Sequence, residues 1–306
     1  MHFIIPVITD KHAMHTLGLL NPETVFQRKG RNNEFYPYTP TLKPDQEDLW
    51  EVHQEIIDTS VKMAGGDPII LYDLGDQGQG MKYTDDLESL YLADHVVAPY
   101  WNLVPWMRIP NLKRAYLVAG TSSHDHGAGA LTILVAQMLA GEFQDKEIIP
   151  VYHGLTKVAP GVDIDYSHHG PGQSARSWLE GNTARYYLRD IMMSELMEGK
   201  TPPKIVLRGD KHSIIFEELS IWNKNRFVKS QFAMIPPLCK MGDFARQVTK
   251  SLSKIIYGGV IFEIIDGRMM EPVWITRTED IRRKDELTWT EQKSTGILSK
   301  LLKKSN

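Results

Sequence analysis

"RAYLVAGTSSHDHGAGALTILVAQMLAG", residues 114–141, decides how this chain is to be read. An apolar run ends at Gly120, a polar loop carries His124, Asp125 and His126, and a small-residue apolar stretch begins at Gly127. Strand, polar loop and helix in that order form the building unit of α/β proteins, whose sites gather at the carboxyl ends of strands. The stretch predicts a strand over 114–120 and a buried helix over 127–141. A His-X-His step between them raises the question of a metal ion.

The same arrangement recurs on both sides. Apolar strands are expected over 3–9, 68–76 and 204–212, and "VDIDYSHHGPG" (162–172) ends another. Each runs into polar residues: Asp10-Lys11-His12, Gly75-Asp76, Gly120-Thr121 with His124, His168-His169, and Asp210-Lys211-His212. Helical spacing of Leu49, Val52, Ile56, Ile57, Ser60 and Met63 predicts a helix over 45–64, after Pro44 and before Gly65-Gly66. Further helices are expected over 83–104 and 182–197, and "IIYGGVIFEIIDG" (255–267) with "EPVWITR" (271–277) reads as a late hairpin. Residues 16–44, rich in Asn, Pro and Gly, are expected as a long loop. Strands that alternate with helices early and pair as hairpins late imply mixed sheets. No linker-like composition divides the chain, so one domain is expected over 1–275, followed by a C-terminal tail over 276–306.

Composition narrows the function classes. A net charge of −3 offers no global attraction for nucleic acid. No run approaches the roughly twenty apolar residues of a membrane span, and "MHFIIPVITDKH" reads as a strand rather than a signal peptide. The lone cysteine, Cys239, excludes an internal disulfide and a thiolate zinc cluster, and fits a reducing, cytoplasmic setting. A carboxylate and a histidine two apart in an extended chain point the same way, so Asp10 with His12, and Asp210 with His212, can each share an ion. Carboxylate oxygen plus imidazole nitrogen suits manganese, zinc or iron.

The ordered set "DKH", "GDQGQG", "GTSSH", "SHHGPG" and "GDKH" resembles the calcineurin-like metallophosphoesterases, in particular a phage-type subgroup with Gly-Thr-X-X-His in place of Gly-Asn-His. The resemblance runs from residue 7 to about 265. It implies an α/β sandwich of two mixed β-sheets flanked by helices, and a phosphodiesterase or nuclease-type hydrolase with a dinuclear centre of two divalent transition-metal ions (Mn, Zn or Fe). Carried onto this chain, Asp10, His12 and His212 hold one ion, Asp76 bridges, and His168 or else His169 serves the second. Thr121 and Asp210 occupy ligand positions where the family has Asn and His. His124 stands where the family keeps its general acid, and His126 is incidental. The substrate implied is a phosphoester, in the form of a nucleic acid or nucleotide.

Two departures keep a second reading open. A Thr121 hydroxyl is a poorer ligand than an amide oxygen, and Asp210 adds negative charge, so a catalytically degenerate binding or structural relative is the alternative. A metallo-β-lactamase reading of "SHDHG" lacks the Asp-His half of its motif, because Gly127-Ala128-Gly129 follow. Arg28, Lys29 and Arg31 in "QRKGRNNEFYPY" (27–38) are candidate substrate-phosphate contacts, with Phe35 and Tyr36 to stack on a base; an ordinary charged loop is the competing reading. His53 is expected to be packed rather than ligating.

Overall fold

Strand β1 (His2–Ile8) turns Ile4 and Ile8 to one side and Ile5 and Val7 to the other, all fully buried, so apolar layers must cover both of its faces. The structure is a computed structural model describing residues 1–82, 84–172, 179–223, 226–242 and 253–285. β1 lies inside a seven-stranded sheet with β4 (Ile69–Asp73), β5 (Leu112–Val118), β6 (Glu147–Val151), β12 (Lys254–Ile265), β13 (Arg268–Met269) and β14 (Val273–Asp280). The order is β13-β12-β1-β4-β5-β6, with β14 also on β12; β1, β4, β5 and β6 run parallel and β12 runs against β1. A five-stranded sheet has the order β10-β11-β9-β8-β7, formed by β7 (His153–Ala159), β8 (Val162–Ser167), β9 (Ile205–Arg208), β10 (Ile215–Asn223) and β11 (Arg226–Met234). β8, β9 and β11 are parallel there, and the outer two strands antiparallel.

The two mixed sheets pack face to face. Ile5, Val7, Tyr72 and Val118 of the first meet Ile164, Tyr166, Ile205 and Leu207 of the second in one apolar layer. Tyr72 and Tyr166 touch edge to face across it at 4.8 Å. Helices α1 (Pro44–Ala64), α2 (Leu92–Met107) and α3 (Ala130–Glu142) cover the outer face of the larger sheet, through Leu49, Ile56, Leu103, Trp106 and Leu139 packed on Ile4, Ile8 and Leu71. Helix α4 (Glu180–Met197) covers the other sheet with Ala184, Leu188 and Met192 on Val206 and Phe232. This is the helix-flanked sandwich of two mixed sheets that the motif order implied. Among the described residues, no helix is long and apolar enough to cross a membrane.

Two expectations are corrected, over 16–44 and over 204–212. Residues 16–44 are not all loop, because β2 (Phe26–Lys29) and β3 (Phe35–Tyr38) pair antiparallel. The hairpin is anchored by Arg28, which forms a two-pronged ion pair with Asp94 of α2 (2.9 and 2.7 Å) amid the rings of Phe26, Tyr38 and Tyr91. The domain boundary at 275 falls inside β14, whose residues to Asp280 pair with β12; the rest of the expected tail, from 286, lies outside the described residues. Strands β6, β7, β10 and β11 were not anticipated. The 204–212 segment ends as a strand at Arg208, where the site loop begins.

His53 is packed, as expected. It is wholly buried on α1, and its Nε2 accepts the indole N–H of Trp106 at 2.8 Å. Burial and the nearby Lys11 charge push its pKa down from 6.5 to about 3. Above 6.5 the ring is neutral in both folded and unfolded chains. Below it the unfolded chain takes up a proton that the folded one refuses, so stability falls as pH drops towards 3. His53→Gln keeps an acceptor for Trp106 but cannot titrate. Denaturant unfolding at pH 7 and pH 5 is expected to show the variant losing about 2 kcal/mol less than wild type over that step; equal losses would refute the assignment.

Candidate metal centre

Five strands end at the same edge of the sandwich: β1, β4 and β5 of one sheet, β8 and β9 of the other. The loops that follow carry Asp10 and His12, Asp76, Thr121 and His124, His168, and Asp210 and His212. The backbone there is unusual. Asp10 (φ 48°), His12 (42°), Asp76 (46°), Asp210 (71°) and His212 (48°) all adopt the left-handed conformation. Each such non-glycine residue costs on the order of 1–3 kcal/mol and persists only where its surroundings enforce it. The segments Asp10-Lys11-His12 and Asp210-Lys211-His212 share both sequence and this alternation. They face each other, with His12 Nε2 3.3 Å from His212 Nε2.

Asp10 stands at the centre. Its Oδ2 accepts the Thr9 hydroxyl at 2.7 Å and the Asp210 N–H at 3.0 Å. Its Oδ1 is buried, among the described residues without a hydrogen-bond partner, and faces His212 Nε2 at 3.4 Å, His12 Nε2 at 3.8 Å and His168 Nε2 at 4.0 Å. Asp76 Oδ1 accepts the Thr121 N–H at 2.6 Å, while its Oδ2 lies 3.2 Å from His168 Nε2 and 3.9 Å from His12 Nε2. Two glycines permit these approaches. A Cβ on Gly120 would come within 2.1 Å of Asp76 Oδ1, and one on Gly209 within 2.3 Å of Thr9 Oγ1.

The imidazoles are oriented from behind. His168 Nδ1–H donates to the Leu74 carbonyl at 2.7 Å, so its Nε2 faces inward beside Thr121 Oγ1 (3.3 Å). His124 Nδ1–H donates to the Gln79 carbonyl at 2.7 Å, and its ring meets that of His12 edge-on at 4.6 Å. This fixed tautomer is how metal-binding and proton-transferring histidines are held. Of the neighbouring pair, His168 is buried beside Asp76, whereas His169 is exposed and reaches Asp210 Oδ2 at 3.2 Å. Asp210 Oδ2 also takes the Lys211 ammonium at 2.6 Å, so its carboxylate is turned to the rim.

Beneath the site, Lys11 is fully buried and ion-paired with the equally buried Asp73. Lys11→Met would strand that carboxylate, and a loss of about 3–5 kcal/mol in denaturant unfolding is expected. Lys11→Met with Asp73→Leu should recover most of it. A double variant no better than the single would show that the pair is not the source of the loss.

Electrostatics distinguish the members. Burial and the counter-effect of its neighbours leave His12 down at about 3. His168 resists its own burial because Asp10 and Asp76 lie beside it, and is pushed up to about 9. Asp10, despite complete burial, is held well below the usual carboxylate range by His168, His212 and His12. The two buried carboxylates thus demand positive charge at the point where the imidazoles converge. Within 4.8 Å of one another lie potential ligand atoms of Asp10, Asp76 and His168, of His12, Asp76 and His124, of His168, His169 and Asp210, and of His12, His212 and Cys239. Protons or a divalent cation can meet the demand, and this nitrogen–oxygen donor set fits a first-row ion.

A cavity of about 280 Å³ opens over His12, Asp76, Thr121, His124, Asp210 and His212. The "SHDH" loop divides its residues. Asp125 accepts from Thr132 N (2.8 Å) and from Gly120 N (3.3 Å), which ties α3 to the end of β5, and His126 turns away to pack near His95. Arg28, Lys29 and Arg31 do not line the cavity. Arg28 is taken up by Asp94, and the other two are exposed on the β2–β3 hairpin. The sequence reading missed His15 and Cys239, both of which do line it. His15 follows His12 by three residues, a spacing that could have been noticed; Cys239 had no such signal.

No family model matches the sequence, and no curated protein does. Among solved structures, the crystal structure of a metallophosphoesterase from Sphaerobacter thermophilus aligns over 92% of this chain and 89% of that one, at 12% identity and a TM-score of 0.27. So loose a superposition carries nothing over to this chain.

Proposed function

We propose that the chain is a metal-dependent phosphoric ester hydrolase acting on a phosphodiester, in a nucleic acid or nucleotide. The observation that carries this is the unpartnered, fully buried Asp10 Oδ1, facing three inward-pointing imidazoles with Asp76 alongside. Strained left-handed backbone at four of these residues, Asp10, His12, Asp76 and His212, supports a functional role. The ordered motifs that resemble the calcineurin-like metallophosphoesterases supply the reaction class.

In this reading Asp10, His12 and His212 hold one ion, His168 and Thr121 a second, and Asp76 lies between. Asp210 and His169 stand at the rim. Bound ions would neutralise charge on the phosphoryl oxygens and lower the pKa of a water that attacks phosphorus. The protein's own part is orientation: Leu74 and Gln79 carbonyls fix the His168 and His124 tautomers, and Gly120 and Gly209 let the acids close in. His124, held by its Nδ1–H, presents Nε2 to the cavity and donates a proton to the leaving oxygen.

The first test loads metal-stripped protein with manganese, zinc or iron and follows hydrolysis of bis(4-nitrophenyl) phosphate. Asp76→Asn is expected to lower bound metal below the wild-type stoichiometry and abolish turnover while circular dichroism stays unchanged. Unaltered metal content would contradict the role given to Asp76. Metal binding by wild type with no turnover on any phosphoester would favour the degenerate binding protein instead.

The second test concerns the proton. His124→Ala is expected to slow hydrolysis of esters with poor leaving groups by about a hundred- to ten-thousand-fold. Nitrophenyl esters, whose leaving group needs no proton, should suffer far less, and metal content should hold. Equal losses on both substrates, with metal lost as well, would make His124 a ligand rather than an acid.

A further inference from the structure

Cys239 has no place in the ligand set implied by the motifs, yet it lies on the wall of the cavity and is 5% exposed. Its loop follows β11 and is pinned across the site by three backbone bonds. Ile235 N–H donates to Arg208 O (2.9 Å), Leu238 N–H to Thr9 O (3.0 Å) and Lys240 N–H to Leu17 O (2.9 Å). These bonds tie it to the two segments that carry the paired Asp-Lys-His motifs. The thiol is therefore delivered beside the His212 ring, which meets His12. Its Sγ is 3.8 Å from His212 Nδ1, and potential ligand atoms of His12, His212 and Cys239 lie within 4.8 Å of one another.

The spacings suit neighbouring ligands of one ion. With metal–nitrogen bonds of about 2.0–2.1 Å and a metal–sulfur bond of about 2.3 Å, neighbouring nitrogen ligands stand about 3.4 Å apart and sulfur stands about 3.6 Å from nitrogen. His12 Nε2 and His212 Nε2 are 3.3 Å apart, and Asp10 Oδ1 is 3.4 Å from His212 Nε2. A second and independent observation points to a ligand here: Asp10 Oδ1, wholly buried, has no hydrogen-bond partner and is aimed into the same space.

We infer that Cys239 is a thiolate ligand of the ion held by Asp10, His12 and His212, making that site a mixed oxygen–nitrogen–sulfur centre. This rests on the metal-centre reading above and adds a sulfur donor to it. Binding releases the Cys239 proton to solvent, so the thiolate and the Asp10 carboxylate together balance the dication. A soft donor turns the site towards zinc, cobalt and iron and away from magnesium.

Cobalt(II) titration of the metal-stripped full chain is the test. Wild type is expected to develop an intense near-ultraviolet thiolate-to-cobalt absorption that saturates with the tight site, and Cys239→Ala to lack it. Zinc affinity, read by competition with a chromophoric chelator, should fall about a hundredfold or more in Cys239→Ala, at or beyond the upper end of what loss of a ligand's hydrogen-bonding partner costs. Visible cobalt bands in wild type without the near-ultraviolet absorption would overturn the inference, reduce Cys239 to a partner of His212, and leave the metal centre intact. No cobalt bound to wild type at all would overturn both. Because wild type decides the matter, poor folding of the variant cannot hide the answer.

Discussion

The carboxylate of Asp10 is the point on which the rest of the site depends. One oxygen is fixed by its neighbour Thr9 and by the backbone N–H of Asp210, which comes from the other sheet. That second bond joins the loop after β1 to the loop after β9, so the registry of the two sheets is written into the site. A small slide of one sheet over the other would break it and leave a buried acid with the Thr9 hydroxyl alone, at a cost of about 1.5–3 kcal/mol for a hydrogen bond to a charged group. The apolar layer between the sheets, with Tyr72 against Tyr166, therefore also positions the chemistry.

Charge around this point is arranged in two tiers. In the Asp10-Lys11-His12 segment, alternation sends Lys11 away from the cavity to Asp73, while Asp10 and His12 face the convergence. The lower pair is neutral as a whole. The upper tier has two buried carboxylates and is balanced by imidazoles whose pKa values are driven apart, His12 to about 3 and His168 to about 9. Such separation among neighbouring groups is typical of functional sites, because one environment has to hold both neutral and charged partners. Asp210 shows the contrast at the rim. The same motif leaves its carboxylate engaged by Lys211 and His169.

Much of this could be read in the linear chain. Continuous apolar runs ending in Gly-Asp, Gly-Thr or Asp-Lys-His placed the strands and their polar ends, because burial on both faces of a sheet demands such runs and a site demands their interruption. The 45–64 helix was legible from its apolar spacing and from the Pro44 and Gly65 that bound it. The β2–β3 hairpin was not, because what holds it is distant: Arg28 reads locally as a free cation, and Asp94, 66 residues on, engages it. Strands β10 and β11 were missed for a related reason, since their half-buried faces acquire meaning only once α4 lies on them.

Within the site the division is the same. Local sequence determined that Asp10, His12, Asp76, His124 and His212 stand at strand ends, and that glycines precede Asp76, Thr121 and Asp210. Tertiary structure separated His168 from His169, since burial and the Leu74 carbonyl act on one ring and solvent on the other. It parted His124 from His126, turning one to the cavity and the other to His95. It brought Cys239 to His212 through a loop pinned by backbone bonds to Thr9 and Leu17. Spacing along a chain can say which residues share a strand end. Which nitrogen or sulfur reaches a common point depends on sheet registry and on hydrogen bonds made across hundreds of residues, and those exist only in the folded molecule.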